Sequence, residues 1–225
     1  YSGTFNNPNQ LANYGLFIIS TIQYLNDFNI PNKPKEIFIF LSGVIFVITS
    51  FSIAANAMLP IFILLGLSKS RLKIINIVLS LILILVPFSI LYSSTTLKTN
   101  LDTRLSLVSI KTQNFIKERE YDRILKYPSY IFFGAGEGKY TRFTEENTRQ
   151  EIHSTFANIF FSYGLIGIFL FLSLLYKIFR PLNLNELILS LPLFFFSLFH
   201  MTLRSTFVWL FLSLFIVRKN LLSKS

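Results

Sequence analysis

His153 stands where a long polar segment meets an apolar one, and its surroundings suit chemistry better than any other stretch of the chain. The pattern is His153-Ser154, nine residues, then Gly164-Leu165-Ile166-Gly167, inside an apolar run that reaches Leu175. An imidazole exchanges a proton near neutral pH. At the end of an apolar helix it sits at headgroup depth, within reach of a lipid-borne substrate; alternatively it only marks where a span begins. Ser154, Asn158 and Ser162 recur at i, i+4 and i+8. A helix carries them as one polar stripe facing the protein interior or a water-filled cavity. Gly164 and Gly167 allow close helix contact.

Four other places offer weaker chemistry, each with an ordinary structural alternative. Arg104 follows a helix-start pattern, Asn100-Leu101-Asp102-Thr103. Its guanidinium can fork onto phosphate oxygens or remain solvated. His200 and Arg204 are spaced i, i+4, so one helical face presents both, unless the arginine simply snorkels. In Asn7-Pro8-Asn9-Gln10, Asn7 suits the N-cap and Pro8 the first helical position. The free N–H groups of such a start favour an anion. Gly134-Ala135-Gly136-Glu137-Gly138 lacks the Lys-Ser/Thr of a phosphate-binding P-loop. It reads as a turn, with backbone exposed enough to approach a ligand.

The elements that must position these residues are apolar helices. Of 225 residues, 52% are hydrophobic and only 14% charged, against roughly 25% charged in a soluble domain; mean hydropathy is +0.55. The composition predicts an integral membrane protein. Candidate spans are 11–24, 37–50, 54–67, 74–92, 155–176, 187–199 and 205–217. The run 37–67 would reach roughly 46 Å as one helix, too long for a single untilted crossing. Ser50, Ser52, Asn56 and Pro60 interrupt it, which predicts two short helices with a tight break. That split gathers Lys33 and Lys35, then Lys69, Arg71 and Lys73, then Lys177 and Arg180, then Arg218, Lys219 and Lys224 on one face. The positive-inside rule asks for this arrangement.

The expected architecture is an all-α, polytopic transmembrane bundle of about seven spans. Residues 1–92 carry the first helices, 93–152 form a long loop on the outer side, and 153–225 carry the last helices. Within the loop an amphipathic helix starts near Asn100, and Lys117-Glu118-Arg119-Glu120 with Asp122-Arg123 continue it as a solvated face. Pro128 ends it. The chain reads as the C-terminal part of a longer one, since Tyr1-Ser2-Gly3 begins neither a signal peptide nor a span. Without cysteine, these residues offer no disulfide, thiolate nucleophile or cysteine-bound metal. The formal charge of +10 reflects loop placement in the membrane rather than a nucleic-acid partner.

Taken together, the motifs resemble those of the bacterial O-antigen ligase and O-antigen polymerase family of cell-envelope glycosyltransferases. The likeness runs through Gly3-Thr4-Phe5-Asn6-Asn7-Pro8-Asn9-Gln10-Leu11-Ala12, then Arg104 with Leu105 and Leu107 ahead of Gly134–Gly138. It ends at His153-Ser154, nine residues, Gly164-x-x-Gly167, in the family's order. Ser50-Phe51-Ser52 departs from it, standing where many members carry Ser-Arg. The resemblance implies an enzyme of the inner membrane, its site facing the periplasm. It would move a glycan from an undecaprenyl-diphosphate carrier to a hydroxyl of an acceptor glycolipid or a second lipid-linked repeat, without metal, nucleotide or other cofactor. With the residue readings above, His153 and Arg104 are the expected catalytic residues, and Arg204, His200, Asn9 and Asn158 are expected to bind substrate. A diphosphate leaving group calls for cationic hydrogen-bond donors, and an acceptor hydroxyl for a general base. Two rival classes are a transporter or flippase of lipid-linked sugars, which would place charges mid-span, and a non-catalytic membrane scaffold, which would tolerate loss of His153.

Overall fold

The structure, a computed structural model, describes residues 7–29, 31–69, 99, 116, 119–138, 140–143, 151–202 and 205–222. Among these the protein is helical, with no strand. We number the helices α1 (Pro8–Leu25), α2 (Pro34–Thr49), α3 (Ile53–Asn56), α4 (Leu59–Lys69), α5 (Asp122–Lys126), α6 (Thr155–Phe179), α7 (Leu184–Phe199) and α8 (Thr206–Leu222). Short 3-10 turns lie at Pro128–Tyr130 and Tyr140–Phe143. The expected span 74–92 and the loop helix from Asn100 lie outside the described residues. Among the described residues one helix, α6, is long and apolar enough to cross a membrane; α7 and the apolar part of α8 are shorter.

The chain divides into two compact units. The first comprises residues 1–105, 182–196 and 206–225. Here Asn7 caps α1 by accepting the Gln10 N–H at 3.0 Å, with Pro8 at the first helical position. α2 runs antiparallel to α1, and the two backbones touch at Gly15 and Gly43: a Cβ on Gly15 would lie 2.7 Å from the Gly43 carbonyl oxygen. α2 ends at Thr49, and Phe51 takes a left-handed φ of 53°. The chain then doubles back. The Asn56 amide donates to Val47 O at 3.3 Å, near the end of α2, whereas the Gln23 amide at the far end of α1 donates to Phe62 O at 2.7 Å. The run 37–67 is therefore broken after Thr49, and the part that returns is itself split into the short α3 and α4 rather than one helix.

α8 runs parallel to α1: Tyr14 meets Phe207 with ring centroids 4.6 Å apart, and Tyr24 meets Phe215 at 5.0 Å. The C-terminal ends of α1, α4 and α8 consequently point the same way within this unit. Those ends carry or lead into Lys33 and Lys35, Lys69, and Arg218 with Lys219. α7 starts with a reciprocal cap, Asn183 accepting the Glu186 N–H at 3.0 Å while Glu186 accepts the Asn183 N–H at 2.9 Å.

The second unit comprises residues 106–181 and 197–205. Its core is Ala135, Phe143, Ile152 and Phe161, with Tyr121, Ile124, Tyr127 and Tyr130 packed against it. Arg123, expected on a solvated face, is instead buried at 2% exposure. It pairs with Glu120 at 2.8 Å, and its guanidinium lies about 6 Å from the Phe143 and Phe161 rings. Charge alone suggested water, but a planar guanidinium stacks on aromatic faces and tolerates burial when paired.

Candidate functional site

The second unit brings His153 and His200 into one electrostatic neighbourhood, and the carbonyls at the end of α7 are the reason. A helix leaves its last four carbonyls without intrahelical partners. Tyr121 donates to Leu198 O at 3.2 Å, the Arg119 guanidinium donates to Phe199 O, and the Thr155 hydroxyl donates to His200 O at 3.0 Å. Thr155 in turn accepts the Thr202 N–H at 2.9 Å. The Arg119–Tyr121 stretch and the start of α6 thus clasp the turn that holds His200.

His153 is fixed by the same clasp. Its N–H donates to Arg119 O at 3.2 Å, and the Arg119 guanidinium reaches His153 O at 3.5 Å. The next residue, Ser154, is the N-cap of α6 and accepts the Ala157 N–H at 3.4 Å. His153 is half-buried and stands immediately before the N-cap of this membrane-length helix. His200, beyond the end of α7, has its pKa lowered to about 4, first by burial and then by the charges of Arg119 and His153. A neutral imidazole at neutral pH accepts or donates hydrogen bonds but is a poor proton acceptor.

The expected polar stripe is buried: Ser154, Asn158 and Ser162 are each at most 4% exposed. Among the described residues, both amide atoms of Asn158 and the Ser162 hydroxyl have no hydrogen-bond partner. Such groups cost about 1–3 kcal/mol each when left unpaired. Asn9 occupies the first turn of α1 and is exposed, in the first unit. Arg104 and Arg204 lie outside the described residues. Among the described residues no group of three or more His, Cys, Asp or Glu side chains could hold a metal ion.

No family model, curated protein or solved structure matches the chain.

Arg119, Tyr121, Thr155 and Thr202 escaped the reading of the sequence. Arg119 was hidden in a charged run that looked solvated. Thr155 and Thr202 matter through backbone atoms distant in sequence, which no local spacing signals. The glycines changed role. Gly164, expected to allow close helix contact, interrupts α6 with φ 67° and ψ −164°. Its close neighbour is the loop backbone at Phe132 and Gly134.

Proposed function

We propose that the protein is a membrane glycosyltransferase of the O-antigen ligase or polymerase type. It transfers a glycan from undecaprenyl diphosphate to an acceptor hydroxyl, polymerising O-antigen or ligating it to lipid A-core. The observation that supports this most is the clasp holding His153 beside neutral His200 just ahead of the N-cap of α6, the helix long and apolar enough to cross a membrane among the described residues. In this reading His153 takes the acceptor proton, and the acceptor oxygen attacks the anomeric carbon. The bond to the diphosphate breaks with its electron pair, and the configuration inverts. Arg104 and Arg204 hold the departing diphosphate, while His200, Asn158 and Asn9 contact substrate.

The placement follows from the same reading. About seven spans form the bundle in the bacterial inner membrane, the segment 93–152 is periplasmic, and the lysine-bearing ends of α1, α4 and α8 are cytoplasmic. Their shared direction within the first unit supports that orientation. Basic residues at rims rather than mid-span favour an enzyme over a transporter. Incubating full-length purified protein with a lipid-linked glycan and an acceptor glycolipid, and following transfer of labelled sugar, tests the proposal. Transfer of label supports it; release of neither product nor undecaprenyl diphosphate contradicts it.

A further inference from the structure

Gly164 opens α6, and the opening is filled by main chain from the loop 131–136. Ala135 N–H donates to Phe161 O, Gly136 N–H to Ser162 O, and Leu165 N–H to Ile131 O, each at 2.8 Å. Gly134 N–H donates to Tyr130 O, also at 2.8 Å. A Cβ on Gly134 would collide with the Ser162 carbonyl, and one on Gly164 with the Phe132 carbonyl. Loop and helix therefore touch backbone to backbone.

The depth of this junction is informative. Phe161 to Leu165 lie roughly 10–15 Å along the helix from Thr155, a third to a half of the way through a ~30 Å hydrocarbon layer. Irregular backbone survives at such depth only when its polar groups are paired within the protein. Here the N–H groups of Ala135 and Gly136 take up the Phe161 and Ser162 carbonyls freed by the break, and the Leu165 N–H takes up the Ile131 carbonyl. Beside this junction Phe132 and Phe133 are 65% and 81% exposed, and on α6 Leu165, Ile166 and Phe169 are 44%, 53% and 70% exposed. Charged Lys126, paired with Asp122 at 2.7 Å, precedes the apolar tip, and exposed Glu137 follows it.

We infer that residues 131–136 form a re-entrant wedge whose Phe132 and Phe133 lie among the acyl chains of the bilayer, continuing the lipid-facing side of α6. The inference rests on reading α6 as a membrane span. A polar turn reaching into water, the expectation from the glycines alone, would not seal its backbone against a helix at this depth. The wedge would hold the outer segment, and with it the Arg119 clasp, against the membrane surface.

Spin labels placed singly at cysteines substituted for Phe133, Phe132, Phe169 and Lys126 test this, in full-length protein reconstituted into phosphatidylcholine vesicles. Collisions with oxygen report acyl chains; collisions with a water-soluble nickel chelate report solvent. Labels at 133, 132 and 169 should favour oxygen and lose contact with nickel, while the label at 126 should favour nickel. Nickel contact at 133 and 132 equal to that at 126, with 169 still in lipid, overturns the wedge and leaves the span standing. Nickel contact at 169 as well overturns the span and the wedge with it.

Discussion

The guanidinium of Arg119 donates to the main-chain carbonyl of Phe199, tying the stretch just ahead of α5 to the turn that presents His200. Arg119 also depresses the His200 pKa, behind burial as the larger cause. Arg119→Gln should therefore raise that pKa above its value of about 4 while leaving it below the ordinary 6.5. Histidine NMR titration reads the shift directly. In the transfer assay the same variant should lower kcat more than it raises KM, because it displaces groups around His153 without removing a donor contact. An unmoved His200 titration would separate Arg119 from the histidines.

The pH dependence of stability follows from the same shift. A histidine whose folded pKa is depressed stabilises the fold above its unfolded pKa, and that stability is lost as pH falls toward the folded value. For His200 the window runs from 6.5 down to about 4. The expected loss is of order 3 kcal/mol, from about 1.4 kcal/mol per pKa unit. Thermal melts of detergent-solubilised protein should show the midpoint falling through this window. His200→Gln should flatten that fall, and a variant with the parent's slope would count against the assignment.

Gly164 and Gly134 should tolerate no side chain, for different reasons from Gly138. Gly164→Ala meets both a φ of 67° and the Phe132 carbonyl. Backbone strain of this kind alone costs about 1–3 kcal/mol, and the collision adds to it. Gly138→Ala has φ 78° but meets nothing within 4 Å among the described residues, so its cost stops at the strain. Melting midpoints should rank parent above Gly138→Ala, and that above Gly134→Ala and Gly164→Ala. Equal midpoints for Gly138→Ala and Gly164→Ala would mean the loop does not fill the break.

Helix existence was legible because it rests on local pattern. The cap at Asn7-Pro8 and the break at Ser50–Ile53 are written in neighbouring residues. The inward-facing stripe of Ser154, Asn158 and Ser162 needed only the helical period. Burial of Arg123 was not legible, since its aromatic partners Phe143 and Phe161 come from remote positions. Nor was the junction of Gly134 with Gly164, which joins two glycine motifs that each look like ordinary turn or packing signals. Long-range backbone pairing leaves no periodic trace in the chain.

Orientation can be read in intact cells with single cysteines. Lys126→Cys should react with a membrane-impermeant maleimide added outside, whereas Ser70→Cys should react only after lysis. The bias of basic residues toward one face motivates this assignment. Labelling of Ser70→Cys from outside, with Lys126→Cys protected, would invert the topology and remove His153 from the periplasmic side.

The central claim is that His153 is the base that activates the acceptor hydroxyl. A positioned general base contributes about 10²–10⁴-fold in rate. The direct measurement compares His153→Ala with the parent in transfer of a lipid-linked glycan by purified full-length protein, with donor binding measured in parallel. Transfer should fall by about 10²-fold or more while the donor still binds and Ser154→Ala is affected less. Transfer by His153→Ala at nearly the parent rate would contradict it.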